Sequence, residues 1–168
     1  MKVLVVDAGG RGNAIAHLFS KSEKVEEIYV VPGNGGTYFF QKCKPIESYK
    51  GKKLTIRSVD EIVELAKRED IDLSFIGPEE PLSLGIVDRL EEEGIPTIGP
   101  KKDATILEAS KCWTKDFLKE IGVPIPKYEN FDDPYEAMEY VEQYFKNGVV
   151  VKADGLAAGK GVYVCNSI

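Results

Sequence analysis

Short apolar runs alternate with amphipathic segments through the first hundred residues, and each run gives way to a turn rich in glycine, proline or asparagine. Val3–Val6 passes into Asp7-Ala8-Gly9-Gly10, and Ile28–Val31 stops at Pro32-Gly33-Asn34-Gly35-Gly36. Asp72–Ile76 closes on Gly77-Pro78, and Ile95–Ile98 on Gly99-Pro100. Apolar runs this short, bounded by turn residues, predict buried strands. Between them, Ala14, Ile15, Leu18 and Phe19 fall at helical spacing, as do Ile62, Val63, Leu65 and Ala66 behind an N-cap at Ser58 or Asp60. Leu84, Ile86, Val87 and Leu90 predict a further helix, ended by Gly94. The alternation argues for an α/β fold built on a parallel sheet. Ligands on such sheets sit beyond the carboxyl ends of the strands, so the glycine turns are the natural rim of a pocket.

Gly99-Pro100 reads as a boundary, giving an α/β domain over 1–99 and a second domain over 100–168. Helices are expected around Ala104–Glu108 and Lys111–Ile121, then a link punctuated by Pro124 and Pro126. A strand over Tyr128–Phe131, a helix over Pro134–Phe145 and strands at Val149–Lys152 and Val162–Cys165 follow. The 168 residues suit roughly one domain and a remainder. No apolar run exceeds four residues, which predicts no membrane span and no secretory leader. With 22 basic and 28 acidic residues the net charge is −6, which argues against a dedicated nucleic-acid binder. Cys43, Cys112 and Cys165 are far apart and make no ligand set with His17. Buried or half-buried cysteines that act as small apolar residues, in a reducing cytoplasm, are the expectation.

The most informative stretch is Ala153-Asp154-Gly155-Leu156-Ala157-Ala158-Gly159-Lys160-Gly161, set between two strands. Small residues let backbone N–H groups approach anionic oxygens, and a lysine adds charge. A P-loop fails here on three counts. Only three residues separate Gly155 from Gly159-Lys160, Gly161 stands where Ser or Thr should bind magnesium, and a strand follows instead of a helix. A loop between antiparallel strands that folds over a nucleotide triphosphate fits better. Lys152, at the end of the first strand, is placed to reach phosphate oxygens.

The first turn, Gly9-Gly10-Arg11-Gly12, lacks the full dinucleotide pattern, and no acidic residue closes the second strand. NAD is not expected, whereas a small phosphate or sugar at that helix start is compatible. Glu79 and Glu80 follow the third strand, where they serve either the helix dipole or a sugar hydroxyl or amine. His17 reads as a surface or boundary residue. Trp113 and the run Tyr38-Phe39-Phe40 read as packing groups.

Three segments, GPEEPLSLG (Gly77–Gly85), PGNGGT (Pro32–Thr37) and KADGLAAGKGV (Lys152–Val162), together resemble the phosphoribosylamine–glycine ligase (glycinamide ribonucleotide synthetase) family. Leu107-Glu108-x-Ser110-Lys111, with Lys115 and Phe117, adds to the resemblance, which runs along the whole chain. It implies a Rossmann-like, pre-ATP-grasp domain followed by the start of an ATP-grasp domain. It implies ATP-dependent joining of glycine to 5-phosphoribosylamine through an acyl phosphate, giving glycinamide ribonucleotide, ADP and phosphate for purine biosynthesis. By resemblance, Lys111, Lys152 and Asp154 with Gly155, Ala157, Ala158, Gly159, Lys160 and Gly161 would surround ATP. Gly9, Gly10, Gly33, Asn34 and Glu79 would face phosphoribosylamine.

The sequence departs from the family pattern at Gly12 and Asn13, which replace a Glu-His pair, and at Asp7-Ala8 before the glycines. The family is expected to be longer, with magnesium ligands and the adenine site beyond Ile168. The expectation is therefore an incomplete ATP-grasp domain, inactive alone, which partners the remaining part of the enzyme. Two other readings stay open: a different ATP-grasp ligase or carboxylase, and a non-catalytic sugar-phosphate-binding module.

Overall fold

The computed structural model describes residues 1–145 and 147–166 and divides into two compact units, Met1–Thr105 and Ile106–Ile168. Lys146, Ser167 and Ile168, all within the second expected domain, lie outside the described residues.

The first unit is a five-stranded sheet, every pair parallel. Strand β1 is Lys2–Asp7, β2 Glu27–Pro32, β3 Cys43–Pro45, β6 Leu73–Ile76 and β7 Thr97–Ile98, in the order β3-β2-β1-β6-β7. Pleat alternation splits β1 between two layers. Leu4 and Val6 join Tyr29 and Val31 against Ile62 and Leu65 of α2 (Val59–Arg68) and Val87 and Leu90 of α4 (Ile86–Glu92). Val3 and Val5 join Ile28 and Val30 against Ala16 of α1 (Gly10–Ser20). Both faces are covered, which is why these strands read as unbroken apolar runs.

The helix expected from Leu84, Ile86, Val87 and Leu90 is α4, with Leu84 outside it as the C-cap of a separate short helix that precedes it. Helix α3 (Glu79–Ser83) stops and α4 restarts at Gly85, whose φ of +82° interrupts the ladder. Ser58 is the N-cap of α2: its carbonyl accepts from Ile62 N–H at 2.9 Å, while Asp60 sits in the first turn. Too short to show a period, β3 and the hairpin of β4 (Ser48–Tyr49) and β5 (Lys52–Lys53) have no counterpart in the sequence pattern.

The second unit holds α6 (Lys111–Glu120), α7 (Pro134–Tyr144) and the antiparallel pair β8 (Val149–Lys152) and β9 (Val162–Cys165). Both helices carry side-chain caps, Ser110 accepting from Trp113 N–H and Asp133 from Tyr135 and Glu136 N–H. The strand expected at Tyr128–Phe131 does not form. The Tyr128 hydroxyl and the Asn130 amide donate instead to the Asp116 carboxylate on α6, at 2.7 and 3.1 Å. Helix α5 (Lys102–Ala109) contains the division at Thr105 and follows the Gly99-Pro100 turn.

Candidate functional site

The carboxyl edge of the first sheet gathers the turns after β1, β2 and β6. Asn34 ties the first two together. Its Nδ2 donates to the carbonyls of Ala8 (3.1 Å) and Gly9 (3.3 Å), and its Oδ1 accepts from Asn13 Nδ2 and Gly36 N–H, both at 2.8 Å. The Thr37 hydroxyl donates to Asn13 Oδ1 at 2.9 Å and accepts the Asn34 N–H at 3.0 Å. The Asn34 side chain is thus spent on shaping the turn, and Asn13 holds the same knot from α1. Gly33 N–H donates to the Asp7 carbonyl at 3.2 Å, while Gly9 and Gly10 remain exposed at the head of α1.

The third turn is joined through charge. Glu79 Oε2 lies 3.8 Å from Arg11 Nη2, and Arg11 Nε donates to Asp7 Oδ2 at 3.2 Å. Gly9, Gly10, Gly33, Asn34 and Glu79, separate in sequence, therefore share one edge. Beside it opens a cleft of about 430 Å³ lined by Ala8, Pro32, Gly33, Lys53, Thr55 and Glu47, among others. Lys50 and Lys52 each pair with a glutamate of α2, Glu64 and Glu61. Lys53 makes no ion pair among the described residues and lines the cleft.

In the second unit the glycine loop is pinned at its neck. Ala153 N–H donates to the Gly161 carbonyl and Lys160 N–H to the Ala157 carbonyl, both at 2.8 Å. Gly155, Ala158, Gly159 and Gly161 all have left-handed φ. At Gly161 an added Cβ would press on Ala153 and Ala157 at 3.2 and 3.4 Å, so the neck requires glycine. Asp154 anchors the loop to the start of α6. Its carboxylate accepts from Lys111 N–H (2.6 Å), Cys112 N–H (3.2 Å) and the Ser110 hydroxyl (3.1 Å). Partial burial raises the Asp154 pKa. The N–H groups of Cys112 and Gly155, the Ser110 hydroxyl and Lys111 N–H outweigh that and hold it below the usual aspartate value.

Lys111 Nζ donates to the Gly155 carbonyl at 2.5 Å. Lys152 and Lys160 are exposed and form no ion pair among the described residues. This loop fits an anionic ligand: two uncommitted ammonium groups flank backbone that turns repeatedly through φ > 0. No group of three His, Cys, Asp or Glu side chains that could hold a metal ion by themselves occurs among the described residues.

Asp7, Arg11, Asn13 and Thr37 form the frame of the first edge; the sequence marked Asp7 and Asn13 as departures from the family pattern but gave none of the four a role in the site. The only local signal was the i, i+4 spacing of Asp7 and Arg11. His17 is exposed, with its ring 5.0 Å from Phe40. Trp113 stacks on Phe117, whereas Tyr38 and Phe39 are exposed rather than packed. The cysteines are free and half-buried. No helix among the described residues is long and apolar enough to cross a membrane.

Residues 1–108 match the family description "Phosphoribosylglycinamide synthetase, N domain", and residues 109–168 match the ATP-grasp (A) domain of the same synthetase. The chain is 73% identical to the phosphoribosylamine–glycine ligase of Archaeoglobus fulgidus along its whole length, and spans 36% of that relative. The crystal structure of the Thermotoga maritima phosphoribosylamine–glycine ligase superposes over 99% of the chain and 36% of its own, with 29% identity and a TM-score of 0.71. The biotin carboxylase domain of the Hydrogenobacter thermophilus 2-oxoglutarate carboxylase, solved with MgADP, ADP and bicarbonate, has the same fold. It superposes over 99% of the chain and 37% of its own, at a TM-score of 0.75 and 20% identity.

Proposed function

The chain belongs to the phosphoribosylglycinamide synthetase family, and on that premise we propose that it serves the ATP-dependent ligation of glycine to 5-phosphoribosylamine. In this reaction a glycine carboxylate oxygen attacks the γ-phosphorus of ATP and ADP leaves. The amine of phosphoribosylamine then attacks the glycyl carbonyl, phosphate leaves, and the nitrogen gives up a proton. The product, glycinamide ribonucleotide, is an intermediate of purine biosynthesis.

The observation that carries this reading is the pinned glycine loop with Lys152 and Lys160 uncommitted at its two ends. Transfer of the γ-phosphoryl group concentrates negative charge where the protein must neutralise it and exclude water. Lys152 would meet the phosphates from the strand, Lys160 from the loop, and Lys111 on exchanging the Gly155 carbonyl for a phosphate oxygen. The loop backbone between Gly155 and Gly161 would cover them. Asp154, committed to the start of α6, holds the loop from beneath. In the first unit the edge of Gly9, Gly10, Gly33, Asn34 and Glu79 would receive the sugar phosphate. Gly9 and Gly10 supply the open start of α1, and Gly33 and Asn34 its wall. ATP supplies the activating phosphoryl group. Free thiols suit a cytoplasmic setting.

The test replaces the matching 36% of the Archaeoglobus fulgidus ligase with these 168 residues and measures ADP release. Turnover is expected to require both glycine and phosphoribosylamine. Lys152→Ala and Lys160→Ala are each expected to raise the KM for ATP about tenfold, the scale of one charge-assisted contact. Turnover stimulated by bicarbonate and indifferent to glycine would overturn the reading in favour of a carboxylase.

A further inference from the structure

Asp7 is a buried carboxylate, 5% exposed, at the last position of β1. Taking a charge out of water costs several kcal/mol unless partners hold it. The chain nevertheless makes room for this one. A Cβ on Gly12 would lie 2.5 Å from Asp7 Cβ, one on Gly9 would lie 3.4 Å from Oδ1, and one on Gly77 would overlap Oδ2. Glycines from the turn after β1, from α1 and from the turn after β6 thus converge on a single carboxylate.

What that carboxylate holds is Arg11. Oδ1 accepts the Gly9 N–H at 2.6 Å, and Oδ2 accepts Arg11 Nε–H at 3.2 Å. The guanidinium then reaches from the β1 turn toward Glu79 after β6, with Nη2 3.8 Å from Oε2. Strand order reverses between β1 and β6, and ligands on open α/β sheets bind in the crevice at such a point. The Arg11 side chain is 56% exposed, and Nε is its one nitrogen with a hydrogen-bond acceptor among the described residues. Its remaining N–H groups face outward beside the half-exposed Glu79 carboxylate.

A guanidinium and a carboxylate side by side match a group that accepts and donates together. A pair of sugar hydroxyls does both: its oxygens accept from Arg11 and its protons go to Glu79. We infer that Arg11, positioned by Asp7, is a specificity-determining residue that reads the ribose hydroxyls of the sugar phosphate jointly with Glu79. The inference rests on the sugar-phosphate reading of this edge. Fixing Nε removes much of the rotamer freedom that a free arginine would lose on binding, so Asp7 contributes by preorganisation.

Calorimetry on the full chain with ribose 5-phosphate and 2-deoxyribose 5-phosphate tests it. The native chain is expected to prefer ribose 5-phosphate by about tenfold or more, because a site built around a hydroxyl is left unpaired by the analogue that lacks it. Arg11→Met is expected to erase that preference. Asp7→Asn, close in shape, is expected to reduce it severalfold, and Asp7→Asn with Arg11→Met to match Arg11→Met alone, since Asp7 acts through Arg11. Melting temperature and far-ultraviolet circular dichroism check that each variant is folded. Should Asp7→Asn fail to fold, the Arg11→Met result and the Arg11 Nε–H resonance of the native chain decide: a resonance exchanging as freely as in a peptide would overturn the clamp. A preference that survives Arg11→Met, or a native chain that binds both sugars equally, would overturn the inference and leave the sugar-phosphate reading intact. Binding of neither sugar would remove that reading and the inference with it.

Discussion

The two units are built of similarly apolar strands yet bury them very differently. In the first, β1 and β2 are closed off almost completely, with Val3, Leu4, Val5 and Val6 all at 0% exposure. In the second, among the described residues, no side chain of α6, α7, β8 or β9 is buried, and Tyr163 and Val164 stand 66% and 69% exposed. A parallel sheet with helices on both faces removes its side chains from water on either side of the pleat. A two-stranded antiparallel ribbon has two open faces. Cohesion in the second unit comes instead from polar and aromatic ties. Asp154 caps α6, Asp116 gathers Tyr128 and Asn130, and Lys127 lies over the Tyr144 ring at 4.3 Å. Apolar sequence and apolar burial are therefore separate facts, and the glycine loop sits in the unit with less burial.

The sharpest way to break this contrast is to truncate one apolar strand residue to alanine on each side. Leu4→Ala is expected to cost about 2–5 kcal/mol in urea unfolding, the range for a buried leucine, whereas Val164→Ala stays within about 0.5 kcal/mol. Comparable losses at the two sites would refute it. Next in size, Gly12→Ala puts a methyl group into Asp7 and is expected to cost about 1–3 kcal/mol by overpacking. A neutral result would show that the crowding around Asp7 relaxes freely.

Asp154→Ala probes the polar side of the comparison, with an expected loss of about 1 kcal/mol for a helix cap. The native pKa of Asp154 lies below its unfolded value. Its contribution is thus present above the unfolded aspartate pKa and is lost as pH falls through the depressed native one. Acid unfolding of the native chain and of Asp154→Ala should converge in that window, and a constant gap at all pH values would exclude the carboxylate as the cause. The smallest effect is spectroscopic. Partial burial and then the Asp116 carboxylate push the Tyr128 hydroxyl up to about 12. Ultraviolet titration should show a late component from Tyr128, beside those of Tyr29 and Tyr38, whose hydroxyls are also pushed up, and only the Tyr128 component should move toward ordinary values in Asp116→Asn.

Much of the first unit was legible because its strands are apolar runs and its helices keep a 3.6-residue period. Gly9, Gly10, Gly33, Asn34 and Glu79 could each be placed at a strand end for the same reason. The break at Gly85 was not, since a glycine within an apolar stripe disturbs the pattern no more than any small residue. Tyr128–Phe131 does not form the expected strand, and the Tyr128 hydroxyl and Asn130 amide hydrogen-bond instead to Asp116 on a helix, a long-range tie that local pattern does not show. The departure at Gly12-Asn13 acquired its meaning in three dimensions: Gly12 leaves space for Asp7, and Asn13 ties Asn34 and Thr37.

Local pattern by itself determined the alternation of β1, α1, β2, α2, β6, α4 and β7 and the glycine loop with its lysines, because periodicity and turn chemistry act over a few neighbouring residues. Only the tertiary structure decided that Asp7, Arg11 and Glu79 form one cluster, that Lys53 lines a cleft beside Gly33, and that Asp154 serves α6. Those relations join residues tens of positions apart, and sheet order and register bring them together through contacts that no short stretch of sequence contains.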